Sequence, residues 1–168
     1  MTTRRDFLRS SALGAAIVAA APRGAQGRDR LLDALVEAGR DKDGNEFVVR
    51  GCLLSADGEV LTWEGHPRAL AIGAHEARVL AGAVHRRQYG ELQAHGFFVG
   101  ERRYVFLGEH EPGSIAAVAK REGKTSPPGL VARATPVGIA VATQTVTRWL
   151  GCTSQALWRF EQGLAGLV

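Results

Sequence analysis

The sequence predicts an α+β fold: a mainly antiparallel sheet of about seven strands, with the terminal helices on one face and a middle helix on the other. Three observations support this fold class. Residues 96–143 contain five short apolar runs in succession, each closed by a Gly, Pro or charged turn, as in an antiparallel meander. Helical periodicity occurs near both ends of the chain. A further helical pattern separates two earlier strands from the meander.

The first half of the domain supplies two helices and two strands. Residues 28–39 place Leu and Val at helical spacing and end in Gly, which predicts a short amphipathic helix. Residues 47–54 form the first strand, and an Asp-Gly turn leads into a second strand at 59–63. Residues 72–85 return to helical spacing, so this middle helix presents one apolar face to the sheet.

The meander and a closing helix form the second half. The last helix begins at Thr145 or Thr147 and reaches about residue 162. Its aromatic residues Trp149, Trp158 and Phe160 either pack on the sheet or line an exposed groove, because Trp is often half-buried. The strands of the meander are expected at residues 97–99, 104–107, 114–119, 130–134 and 139–143.

The first residues have the layout of a twin-arginine export signal. Arg4 and Arg5 precede Phe7 and Leu8, and ten weakly apolar, Ala-rich residues follow at 12–21. A membrane anchor is the alternative. Ten apolar residues are too few to cross about 30 Å of hydrocarbon, so we expect no stable membrane insertion.

This leader divides the chain into an export signal at 1–27 and one folded domain at 28–168. The prediction is a periplasmic or secreted protein that engages the twin-arginine export machinery. The leader also carries +3 of the formal net charge of +4. Because little positive charge is left for the domain, we expect no nucleic-acid partner.

Cys52 and Cys152 are the two cysteines of the chain. In an oxidising compartment they could form a disulfide. The alternative is two unpaired thiols that behave as small hydrophobic side chains. Sequence alone leaves both possibilities open, because it does not bring their Cα atoms within bridging distance.

Taken together, these segments resemble a profilin. The resemblance is in the order and spacing of the motifs along nearly the whole of 28–168, since each motif alone is loose. The matching segments are LLSADGEVLTWEGHP at 53–67, AHEARVLAGAV at 74–84, HGFFVGERRYVFLG at 95–108, PPGLVARATPVGIAVAT at 127–143 and LWRFEQGL at 157–164.

The resemblance implies a binding function. Profilins bind actin monomers through the later strands and adjoining helices, and polyproline in an aromatic cleft between the terminal helices. It implies a partner-binding site made of Trp63, Arg102, Arg103, Tyr104 and Trp158. An exported chain would not meet actin. We therefore predict an exported, non-enzymatic module that binds another protein or peptide.

No catalytic or metal-binding constellation is apparent in the sequence. Residues 123–125 read Gly-Lys-Thr, but the earlier Gly of a phosphate-binding loop is missing. Ser55 and Ser114 have no base nearby in sequence. We predict no enzyme activity, no cofactor and no metal. The alternative is a periplasmic small-ligand or haem-binding accessory protein, since this export route often carries cofactor proteins. It requires a pocket with a convergent His or Arg. The histidines, which are scattered along the sequence, are His66, His75, His85, His95 and His110.

Overall fold

A computed structural model describes residues 25–62, 64–121, 123, 126–145 and 150–165. Within these ranges the chain forms four helices and six strands. In chain order they are α1 Ala25–Ala38, β1 Arg50–Leu54, α2 Ala74–Arg86, α3 Gly90–His95, β2 Phe97–Val99, β3 Arg102–Glu111, β4 Ser114–Ala119, β5 Gly129–Thr135, β6 Gly138–Gln144 and α4 Leu150–Ala165.

The strands form one antiparallel sheet in the order β1-β6-β5-β4-β3-β2. Neighbours in sequence from β2 to β6 are neighbours in the sheet, as short turns require. β1 pairs with β6 and so joins the two ends of the domain. The predicted α+β architecture is confirmed, and the meander strands begin and end within a few residues of their expected limits.

The predicted strand at 59–63 is reduced to a single bridge between Leu54 and Val60. The outer edge of β1 explains this difference. Gly51 donates its N–H to the carbonyl of Arg68 and accepts a hydrogen bond from the N–H of Leu70. Because those two residues occupy the edge at Gly51, the preceding segment pairs only with the far end of β1.

The helices lie on the two faces of the sheet as predicted. α1 and α4 pack on each other, with α1 on β1 and α4 on β5 and β6. α2 lies on the opposite face. Two separate cores result. The first core includes Leu32, Leu35, Val131, Ala140, Leu157 and Phe160, and the second includes Ala77, Leu80, Val84, Ile115 and Ile139.

The described helices differ from the prediction in one element and in their ends. α3 was not expected; it has six residues and buries only Leu92. α2 ends at Arg86, and the residue that caps it, Arg87, adopts a left-handed conformation with φ of 55°. In the described part of the chain, no helix is both long and apolar enough to span a membrane.

Candidate functional site

Within the described residues, one half of a sheet face has no helix packed over it. α1 and α4 cover β1, β6 and β5, and the same face continues across β4, β3 and β2. We call this uncovered area the open half-sheet. Its large side chains are Phe98, Val105 and Leu107, which are 49%, 46% and 54% exposed. Ala116 and Val118 of β4 lie beside them and are half-buried.

The strand register places these side chains on one face. Phe98 pairs with Arg103, and Val105 pairs with Val118. Directly paired residues project to the same side of an antiparallel sheet. The register then shifts between Phe106 and Gly108, and Leu107 lies in this bulge. The exposed apolar residues therefore form a continuous strip along β3.

The opposite face of the same strands is firmly packed. Tyr104 stacks on Phe97 with ring centroids 5.9 Å apart, and Phe106 stacks on Tyr89 at 5.3 Å. Offset aromatic pairs of this kind add to the energy of simple burial. The strands of the open half-sheet are therefore anchored by packing on their covered side.

A carboxylate also holds β3 from that covered side. Glu109 accepts hydrogen bonds from Arg87 at 2.8 Å, from the Tyr89 hydroxyl at 2.7 Å and from the Gly113 N–H at 2.7 Å. The pKa of Glu109 is lowered to about 2. The hydrogen bond from Arg87 is the largest cause, and the hydrogen bond from the Gly113 N–H is the second. The pKa of Tyr89 is raised to about 12, chiefly by burial and next by its hydrogen bond to Glu109. This network ties the end of α2 to β3.

Trp158 lies on the side of α4 that faces the open half-sheet, and it is 50% exposed. Its neighbours one turn away, Ser154 and Glu161, both reach toward β3. Ser154 Oγ is 2.7 Å from His110 Nε2, and Glu161 shares Arg133 with a carboxylate of β3. Residues spaced by three and four positions share one side of a helix. Trp158 therefore borders the open half-sheet.

A cleft of about 720 Å³ crosses one end of the sheet. We call it the sheet-end cleft. Phe98 lines it, so it is continuous with the open half-sheet. Its apolar walls include Leu70 and Pro127. Its charged lining residues are Arg50, Glu101, Arg102, Arg103 and Lys120.

Three of the five sequence-predicted binding residues, Arg102, Arg103 and Tyr104, line the sheet-end cleft. Arg102 and Arg103 are exposed at the start of β3, whereas Trp158 borders the other end of the open half-sheet. Tyr104 is only 3% exposed, so little of its surface is open to a partner. Its ring faces the covered side of β3, where it packs in the core. Trp63 lies outside the described residues.

Sequence reasoning missed Phe98, Val105 and Leu107. The runs FFV and YVFLG are apolar at nearly every position, so the usual alternation of polar and apolar residues is absent. Nothing local indicates which side of the strand a helix covers. An unbroken apolar run on a strand near the sheet edge was the signal available.

The two cysteines are free thiols. Cys52 is buried in the core beneath α2, and burial raises its pKa to about 12. Cys152 is on α4, which packs on the opposite face of the sheet. The disulfide alternative is therefore not realised in this structure, because the sheet separates the two side chains.

The histidines are dispersed. His66 Nε2 is 3.0 Å from the carboxylate of Asp33, and His110 contacts Ser154. No three His, Cys, Asp or Glu side chains of the described chain are grouped so that they could hold a metal ion. Haem iron needs only one or two axial side chains, so the haem-binding alternative stays a prediction.

The export leader lies outside the described residues, including Arg4, Arg5, Phe7 and Leu8. α1 begins at Ala25, two residues before the expected end of the leader. Residues 124 and 125 of the Gly-Lys-Thr segment and Trp149 also lie outside the described ranges.

Solved structures supply the comparison for this architecture. Acanthamoeba castellanii profilin IB aligns with a TM-score of 0.61 at 21% identity, over 83% of this chain and 97% of that one. The chain has a profilin-like fold. Profilin II of the same amoeba gives 0.58 at 17% identity, over 80% and 96% of the two chains. Schizosaccharomyces pombe profilin gives 0.57 at 19% identity, over 80% and 96%. No protein-family model and no curated protein matches this chain.

Proposed function

We propose that this chain is an exported, non-enzymatic binding module whose protein partner covers the open half-sheet. One observation carries the proposal. The large hydrophobic side chains that are exposed in the described part of the chain are Phe98, Val105, Leu107 and Trp158. All four lie on or beside this one surface. Single exposed apolar residues are ordinary, but contiguous ones mark interaction sites.

The composition of the surface suits a protein interface. Two of its four large residues are aromatic, and Trp and Phe are enriched in interface centres. The surface is anchored from behind by the aromatic pairs and by Glu109. This chain would therefore lose little conformational freedom when it binds a partner, which favours affinity.

Export is the second part of the proposal. It rests on the twin-arginine layout of the leader and its short apolar stretch. The test is to express the full chain and its Arg4→Lys, Arg5→Lys double variant and to fractionate the cells. We expect wild type in the exported fraction and the variant retained in the cytoplasm. Equal export of both would contradict the prediction.

The binding surface is tested by affinity capture from the exported fraction. The bait is the exported protein, in wild-type form and as Trp158→Ala. The matched control is Gln155→Ala, an exposed residue of the same helix on another side. We expect one partner to be held by wild type and by the control, and at least tenfold less of it by Trp158→Ala. Equal capture by all three proteins would rule out Trp158 as part of the surface.

A further inference from the structure

The sheet-end cleft lies at the end of the sheet where each of the six strands begins or ends. β1, β3 and β5 begin at this end of the sheet, and β2, β4 and β6 finish there. Arg50 is the first residue of β1, Lys120 follows β4, and Arg102 opens β3. Three separate strands therefore each bring at least one cation to the cleft, and β3 adds Arg103 as a second.

These cations are unpaired within the described chain. Arg50, Arg102 and Lys120 make no hydrogen bond or ion pair with any described carboxylate. Elsewhere in the described chain, some arginines are paired with carboxylates: Arg87 binds Glu109, and Arg133 binds two carboxylates. Glu101 is the acidic residue among those that line the cleft. Among the described residues, the lining of the cleft thus carries more positive than negative charge.

The spacing of the cations is that of an extended chain. Four strand intervals separate β1 from β3 in the sheet order. At roughly 4.8 Å per interval, Arg50 and Arg102 lie about 19 Å apart along the cleft. An extended peptide advances about 3.3 Å per residue, so about six residues would cover this distance. Lys120 lies one interval from Arg102.

We propose that the sheet-end cleft binds an extended, acidic segment of about six residues of the protein partner. Its carboxylates lie against Arg50, Lys120 and Arg102. Its apolar side chains contact Phe98, which the cleft shares with the open half-sheet. The inference rests on the proposed function, because it assigns the chemistry of one part of that partner.

Other anionic ligands fit this arrangement less well. A single phosphate would contact one or two of the cations, since they are spread over about 19 Å. A lipid surface is flat, whereas the cations line a concave cleft. A nucleic acid requires a broad basic face, and the net charge of the chain is concentrated in the leader.

The direct test measures binding of short labelled peptides to the full chain by fluorescence anisotropy. One eight-residue peptide alternates Glu and Leu. The other replaces each Glu with Gln and is otherwise identical. We expect at least tenfold tighter binding of the acidic peptide at low salt, and weaker binding as salt screens the charges.

Variants locate the site. Arg50→Gln, Arg102→Gln and Lys120→Gln are each expected to weaken binding of the acidic peptide by about two- to fivefold, as for exposed ion pairs. Lys42→Gln and Arg30→Gln remove exposed cations outside the cleft and are expected to have no effect. A circular dichroism spectrum of each variant checks that it is folded.

Three results would overturn the inference. The first is equal affinity for the two peptides. The second is a loss of affinity for the acidic peptide in Lys42→Gln as large as in Lys120→Gln. The third is binding of vesicles with anionic lipids in place of the acidic peptide. The inference is wrong and the proposed surface stands if Trp158→Ala loses the captured partner but the three cleft variants bind it as tightly as wild type. The proposed surface is wrong and the inference stands if Trp158→Ala still binds the partner and the cleft variants lose it.

Discussion

The two halves of one sheet face have the same chemistry and different surroundings. On the half that α1 and α4 cover, Val131 and Ala140 are fully buried. On the other half, Val105 and Leu107 are equally apolar and about half exposed. The difference lies in the helices, since the sequence is apolar in both places. An apolar strand surface that the described part of the chain leaves uncovered is the feature that marks the candidate site.

The largest expected difference between the halves is in stability. Leu157 of α4 is fully buried over the covered half, so Leu157→Ala should lower the free energy of unfolding by roughly 2–5 kcal/mol. Leu107→Ala on the open half should change it by less than about 0.5 kcal/mol. Urea unfolding followed by Trp fluorescence measures both. A large loss in Leu107→Ala would mean that the open half-sheet is covered in the free protein.

A smaller effect is expected at Glu109, which holds the open half from behind. Glu109→Gln replaces a carboxylate that accepts hydrogen bonds from Arg87, Tyr89 and the Gly113 N–H. The variant should be less stable than wild type at neutral pH, because charged hydrogen bonds are stronger than neutral ones. Glu91→Gln, an exposed carboxylate of α3, is the control and should leave stability unchanged.

The same carboxylate gives the protein an acid sensitivity. The folded-state pKa of Glu109 is lowered to about 2 from its ordinary value of 4.5. Its stabilisation is therefore fully present above pH 4.5 and is lost as pH falls toward 2. Unfolding curves of wild type and Glu109→Gln should converge over this range. If they stay parallel, Glu109 does not stabilise the fold through its charge.

The smallest effect is expected at the border between the halves. Ser154→Ala removes the contact between α4 and His110 of β3. The loss should be about 0.5–1.5 kcal/mol, as for a single hydrogen bond. A change in the fluorescence of the neighbouring Trp158 should accompany it. Unchanged stability and fluorescence together would show that this contact does not anchor the helix.

The sequence predicts the architecture well, because strands and helices have local signals. The turns that close 97–99 and 114–119 are explicit, and both strands have the expected limits. The prediction of a strand at 59–63 was wrong for a non-local reason. Its place on β1 depends on hydrogen bonds between Gly51 and a later segment, which no local pattern reveals.

The site was less predictable than the fold. The exposure of Arg102 and Arg103 followed from their place in a charged turn. The burial of the Tyr104 ring was not predicted, because its strand is apolar on both sides. Which side is buried depends on how far α1 and α4 extend across the sheet, and this is a property of tertiary packing. The open half-sheet could not be identified before that packing was known.

The central claim is that a partner covers the open half-sheet. The most direct measurement is the affinity of the captured partner for Leu107→Glu and for Gln93→Glu, an exposed position on α3. Both variants add one negative charge, and only the first places it on the apolar strip. We predict at least a tenfold loss of affinity for Leu107→Glu and no change for Gln93→Glu, with unfolding curves like wild type for both. Equal affinity of the two variants would contradict the claim.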